Sequence, residues 1–378
     1  MQTILHIGMP KTGSTVLQDR LRASGPALAA RGVLYPENPP GCPFNNHRLL
    51  LFGFVPFDKL PRHIRKIPAY RPETLAADYA AFRAHLAAQV AEARPERMIL
   101  STESLFRDLG GGARRALAEA LGPYGPVTVA VYLRRPSAYY LSALQQHFKS
   151  SHKVAPPRVP APLKVLRAYG ALFGPKAAHP RVYDRSLLAE GDIAADFLAA
   201  YLPGAGLGAA DLAPASRTNE SLSAESMDIL RAYRADFHGE RDNVSAPDSS
   251  QLVRVLARID GLAEAPRPRL RPEIAEAVDY ANPDALALRD QWGLVFPGLD
   301  YGRLGRIRLH DRGLPALLRD RLRPWRLEEI VPIDRDLQQT ILGRLARSRW
   351  GWAPARARWI AGLRRARTKA GAGTGAGA

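Results

Sequence analysis

The sequence predicts an α/β fold: a parallel sheet flanked by helices, continued by a helical C-terminal extension. Three observations predict it. The first half alternates short apolar runs with amphipathic stretches, the order that parallel strands and crossover helices require. From residue 219 onward only helical patterns appear. The 378 residues are 46% hydrophobic and 24% charged, which supplies a core of globular rather than disordered character.

Taken in order, Thr3–Gly8 reads as a buried strand, followed by a turn and a helix over 14–31. Residues 32–36 give a second strand. Residues 37–72 are rich in proline and read as a long loop, which in a compact domain is usually a binding element or lid. A helix over 73–94 follows, then a strand over 97–102, a helix near 113–121 and a β-branched strand over 127–133. Pro136 sits at the favoured first-turn position of the next helix, which runs to about Lys149. Beyond a Pro-rich loop (154–162) come a helix over 163–173, a short strand over 181–184, and a helix over 192–201 with Asp192 as its N-cap. Helices are expected at 223–237, 251–263 and 272–281, with several more in the tail. We expect an α/β core over 1–235, a basic helical extension over 236–368, and disorder in the Gly/Ala-rich residues 369–378.

Composition excludes several classes. The single Cys42 excludes a disulfide scaffold and a zinc site built on several thiolates. No apolar run reaches the roughly 18 residues that a membrane-spanning helix needs. The N-terminus lacks a basic leader before its apolar stretch, so it does not read as a signal peptide, and the chain reads as cytoplasmic. Lys and Arg total 54 against 36 acids, a net charge of +18, and only 8 of the bases are lysine. Residues 301–378 hold 18 bases and 6 acids, a net +12. Arginine beside abundant Ala, Gly and Pro matches GC-rich codon usage. The excess also suits anionic partners: phosphorylated cofactors, acidic glycans, nucleic acid or a membrane surface.

Two motifs carry chemistry. GlyMetProLysThrGlySerThr (8–15) lies between a predicted strand and a predicted helix, where backbone N–H groups and the helix dipole face an anion. Compared with the nucleotide-triphosphatase loop G-x-x-x-x-G-K-[ST], Gly8, Gly13 and Thr15 fall in place. Ser14, however, occupies the lysine position, and the lysine stands three places earlier, at Lys11. With no acid of the expected kind ending a later strand, a kinase or triphosphatase fits poorly. The second motif, LeuArgArgProSerAlaTyrTyrLeuSer (133–142), follows the strongest strand. An arginine at a strand's C-terminal edge is placed where it can grip an anion bidentately.

These residues resemble the sulfotransferases that use 3′-phosphoadenosine 5′-phosphosulfate (PAPS), whose fold is a P-loop-type parallel sheet. ProLysThrGlySerThr is similar to that family's 5′-phosphosulfate loop. The resemblance implies that Lys11 contacts the leaving phosphate and the sulfonyl group, and that Thr12, Gly13, Ser14 and Thr15 cradle the 5′-phosphate. Arg134, Pro136 and Ser142 match the 3′-phosphate motif, while Arg135 replaces an Asn or Asp, which leaves open which arginine grips. The implied cofactor is PAPS, with no metal required. ArgValTyrAspArg (181–185) and ArgThrAsnGluSerLeu (217–222) look like segments of bacterial members, with Arg217 as a phosphate or adenine contact or simply part of a helix cap. The resemblance covers roughly residues 1–235.

An acceptor hydroxyl or amine must lose its proton, so a base belongs near the transferred group. Glu103 ends the third strand, where open α/β sheets place ligands; the alternative is an ordinary helix-start acid. His47, in the long acceptor-side loop 37–72, is the second candidate, similar to the histidine of small-molecule sulfotransferases, against a packing role. His6 reads as a satisfied core residue. The expected acceptor is a glycan, glycolipid or other extended molecule rather than a small phenol.

Two other readings stand beside this one. The first is a nucleotide or sugar kinase with an atypical loop. The second is a non-catalytic protein whose basic tail docks on nucleic acid or an anionic membrane. Trp325, Trp350, Trp352 and Trp359 lie among the tail's arginines, which suits stacking or interfacial burial, or else a terminal helical cap packed on a core. As an enzyme the chain is expected to touch an anionic surface peripherally through this tail, and no nucleic acid.

Overall fold

The computed structural model describes the chain except residues 61, 66, 68–69, 158–160, 215–220, 282–283, 305–323 and 373–378. In chain order its main elements are β1 (Gln2–Gly8), α1 (Ser14–Ala23), α2 (Gly25–Ala29), β2 (Val33–Leu34), α3 (Leu75–Ala93), β3 (Arg97–Ser101), α4 (Gly111–Leu121), β4 (Val127–Leu133), α5 (Pro136–Phe148), α6 (Pro162–Phe173), β5 (Ala178–Val182), α7 (Ile193–Tyr201), α8 (Ala224–His238), α9 (Pro247–Leu262), α10 (Pro272–Tyr280), α11 (Asp284–Trp292), α12 (Arg335–Arg347) and α13 (Pro354–Ala372). The chain divides into two compact units that interleave along the sequence. One comprises Met1–Arg135, Pro160–Thr218 and Pro283–Gly302; the other Pro136–Val159, Asn219–Asn282 and Arg303–Ala378.

The first unit holds a five-stranded, all-parallel sheet in the order β2-β3-β1-β4-β5, flanked by helices. β1, β3 and β4 are central and read as near-continuous apolar runs because helices cover both faces. Leu5 of β1 pairs with Leu100 on one side and Val129 on the other, and all three are wholly buried. One core cluster joins Ile4, Leu17 and Leu21 to Phe197, Leu198 and Tyr201 of α7. Strand order reverses about β1, the place where open α/β sheets leave a crevice beyond the strands' C-terminal ends.

Differences from the sequence reading have local causes. The expected strand 181–184 begins earlier, at Ala178, and contains Pro180. Proline cannot donate to a sheet ladder, so it suits an edge, and β5 is the edge strand next to β4. The expected helix 14–31 breaks at Ser24, whose hydroxyl turns back on the Arg20 carbonyl at 2.7 Å, with Pro26 in the first turn of α2. Segment 37–72 is more ordered than a bare loop. It contains 3₁₀ turns at Arg48–Gly53 and Phe57–Lys59, and Leu49, Leu50, Leu51 and Phe52 are buried.

The second unit is helical. Its core gathers Leu144 and Phe148 of α5, Leu230 and Tyr233 of α8, Leu256 of α9, and Ile341 and Leu345 of α12. Trp325 and Trp350 are buried in it, and Trp359 packs against it. The helix starts are capped by side chains where the sequence supplies them. Ser223 accepts from the Ser226 N–H at 3.1 Å, and Asp334 from Asp336 and Leu337. α13 extends to Ala372, four residues into the stretch expected to be disordered; 373–378 lie outside the described residues. Among the described residues no helix is long and apolar enough to cross a membrane.

Candidate functional site

The sequence places a glycine where β1 ends because nothing larger fits there. Gly8 has φ +73°, and a Cβ on it would lie 2.9 Å from the Cβ of Glu103 and 3.3 Å from Ser14 Oγ. The chain then crosses to β4, the Met9 N–H donating to the Tyr132 carbonyl at 3.1 Å. Thr12, wholly buried, closes the turn by donating to the Met9 carbonyl. Lys11 adopts φ +70° and Gly13 φ +79°. For Lys11 this left-handed backbone costs about 1 kcal/mol that glycine would not incur. Gly13 is the N-cap of α1 and provides no side-chain cap, so the first N–H groups of that helix open onto the turn. Ser14 Oγ is buried there and has no hydrogen-bond partner.

The parallel register of β1 and β4 carries Arg134 to this turn. Val131 pairs with Gly8, and three residues later the Arg134 guanidinium donates to the Lys11 carbonyl at 3.1 Å. The Tyr183 ring stands below it, 5.7 Å from the guanidinium carbon, and forms the wall that a Cβ on Gly13 would touch at 3.1 Å. Burial lowers the proton affinity of Arg134 from its ordinary value, while Tyr183 and Asp184 oppose that shift; a guanidinium stays charged throughout. Arg135 turns elsewhere, donating to the Pro297 carbonyl at 3.0 Å. Of the two arginines left open by the motif, Arg134 is therefore the one beside the turn.

Glu103, just past β3, borders the turn on the opposite side. Gln18 of α1 donates to its Oε2 at 3.1 Å and to Ser101 Oγ at 3.0 Å. Arg48 faces Glu103 Oε1 at 3.6 Å. It is held by a bond to Asn46 Oδ1 at 3.0 Å and by stacking on Phe44 at 4.4 Å. Asn46 and Arg48 belong to the segment expected on the acceptor side; Arg48 reaches the candidate base, and Asn46 donates to Gln18 Oε1 at 3.5 Å.

His47 occupies a different place. Its Nδ1 accepts from the Ser101 N–H at 2.8 Å, its Nε2 donates to the Pro36 carbonyl at 2.8 Å, and it is 1% exposed. This fixes the neutral Nε2-protonated tautomer, and burial lowers its pKa to about 4. With both nitrogens committed to main chain, His47 is an anchor of the segment rather than a proton acceptor. His6 is a core residue, its Nδ1 2.7 Å from Ser101 Oγ and its ring edge-on to Tyr132 and Phe197.

Thr15 is exposed on the first turn of α1. Ser142 is half-buried on α5, in the second unit, and its assignment rests on the motif alone. Arg217 lies outside the described residues. In the ArgValTyrAsp segment, Arg181 forms a two-pronged pair with buried Asp196 at 2.7 Å and is structural. The residues that face the turn and that sequence reasoning missed are Tyr183, Gln18 and Arg48. Gln18 was findable, because it stands one helical turn after Ser14 and so shares its face.

Compared with known proteins, the chain matches no family model, no curated protein and no solved structure.

Proposed function

We propose that the protein transfers a sulfonyl group from PAPS to a hydroxyl or amine acceptor, on a sheet of the P-loop type. The observation that carries this reading is the contact of Arg134 with the Lys11 carbonyl. A cation from the end of β4 thereby borders a turn whose glycines leave its backbone bare. The residues present fit such a donor: an orphaned buried hydroxyl at Ser14, uncapped N–H groups at the start of α1, and a guanidinium beside them.

When bound, PAPS supplies an activated sulfonyl group and a phosphate leaving group. The N–H groups of residues 13–15 and Ser14 Oγ hold the 5′-phosphate oxygens. The Lys11 amine would lie where it can balance negative charge on the leaving phosphate, which is the larger part of catalysis in transfers of this kind. Arg134 binds the donor's other phosphate through charge-assisted hydrogen bonds. Glu103 takes the proton that the acceptor loses as the new sulfur–oxygen or sulfur–nitrogen bond forms, and Gln18 and Arg48 aim its two oxygens. The segment around Asn46 and Arg48 then borders the acceptor, for which a glycan, glycolipid or other extended molecule suits the long, ordered loop.

The test is a thermal-shift comparison of adenosine 3′,5′-bisphosphate with ATP plus magnesium, because a ligand of the native state raises its midpoint. We expect the bisphosphate to raise it and ATP to leave it nearly unchanged. The reverse result assigns the turn to a triphosphate and overturns the reading. Glu103→Gln is expected to keep the bisphosphate shift while losing transfer from labelled PAPS.

A further inference from the structure

We infer that the turn between α12 and α13 is a docking surface for an anionic lipid bilayer. The sequence from Leu337 to Ala378 carries nine bases and no acid. Of these, Arg347, Arg349, Arg358, Arg364 and Arg365 are exposed. In the turn itself, between Arg349 and Pro354, Trp352 is 65% exposed. A large aromatic side chain left in water among cations marks a contact surface more than an accident of packing.

The other tail tryptophans show what holds this turn in place. Trp350 is 3% exposed and meets Tyr233 edge-on at 5.1 Å. Trp359 meets the same ring at 5.3 Å, and its Nε1 donates to Asp236 Oδ2 at 2.7 Å. Arg356 stacks on Trp350 at 4.5 Å and donates to its carbonyl. Trp352 takes part in none of these contacts. α8, α12 and α13 therefore present the turn on a braced platform, with one indole projecting and arginines on both sides of it in the sequence.

That distribution selects the partner. Single-stranded nucleic acid is held by successive aromatic side chains along a charged groove, whereas here Trp325, Trp350 and Trp359 are packed into the unit. A lone projecting indole is suited to the headgroup level of a bilayer, where tryptophan concentrates. Arginines around it draw it to anionic lipid, at about fivefold in affinity for each.

Co-sedimentation of the full chain with vesicles tests this, using phosphatidylcholine alone and phosphatidylcholine mixed with phosphatidylglycerol. We expect binding to the mixed vesicles only, weakened by added salt, with a blue shift of tryptophan emission. Trp352→Ala should weaken binding roughly tenfold and remove the shift. The double change Arg347→Gln, Arg349→Gln should weaken it about 25-fold. All three side chains are exposed, so the thermal midpoint should not move, which separates lost docking from lost folding. Equal binding to both vesicles, no binding to either, or binding indifferent to Trp352 would overturn the inference. Retention on an oligonucleotide with the same dependence on Trp352 would reassign the surface to nucleic acid.

Discussion

Replacing Arg134 by methionine removes a charge while keeping much of the stem. In the folded protein the guanidinium makes one hydrogen bond to the Lys11 carbonyl and sits over Tyr183, and its burial already disfavours the charge. That bond is itself to a charged group and the cost of burying the charge offsets part of it, so stability should fall by no more than about 2 kcal/mol. Ligand binding should respond separately. A hydrogen bond to a charged group is worth about 1.5–3 kcal/mol, so at about 2 kcal/mol the dissociation constant of adenosine 3′,5′-bisphosphate rises roughly 30-fold. At a ligand concentration of about 100 times the wild-type constant, the ligand stabilises the native protein by about 2.7 kcal/mol. In Arg134→Met the same concentration gives only about 0.9 kcal/mol, so most of the thermal shift disappears. Calorimetric titration and a thermal melt, each with and without bisphosphate, measure both quantities. Equal ligand stabilisation of the two proteins would show that Arg134 does not meet the donor.

Four further outcomes are expected. Lys11→Ala should abolish transfer from labelled PAPS without unfolding the protein. Lys11→Gly should do the same while gaining up to about 1 kcal/mol in urea melts, because glycine accepts φ +70° without strain; a loss of stability would refute that account of the turn. His6 and His47 each have a folded pKa near 4 against 6.5 unfolded, both lowered chiefly by burial, so the unfolded chain binds more protons between these values. Stability should be full above pH 6.5 and fall by about 2 kcal/mol for each ring by pH 5, and His47→Gln should flatten part of that slope in urea melts. Asp196→Ala strands the Tyr132 hydroxyl and breaks the pair with Arg181, and denaturant unfolding should record a loss of about 3 kcal/mol.

The central strands were legible because their burial on both faces writes itself as unbroken apolar runs, and Gly8, Gly13 and Arg134 because turn chemistry and strand ends carry short-range signals. The surroundings of Glu103 were not. Arg48 reaches Glu103, and Gln18 reaches Ser101, across separations of 55 and 83 residues that no local pattern encodes. His47 misled for the same reason. A histidine in a polar loop reads as accessible until the main chain of Ser101 and Pro36 is seen to close on both its nitrogens. The unit boundary at Arg135/Pro136 was likewise hidden, since nothing in the sequence says that α5 leaves the sheet's unit to join later helices.

The grip of His47 on the Ser101 main chain has a practical consequence. The imidazole accepts from the Ser101 N–H and donates to the Pro36 carbonyl, while the His47 main-chain N–H donates to the Ser101 carbonyl. Its neighbours Asn46 and Arg48 are tied to the same place, since Arg48 bonds to Asn46 and faces Glu103 beside the turn that follows β1. A graft of this segment would have to carry residues 46–48 as one piece and keep the main chain of Pro36 and Ser101 as its two anchors.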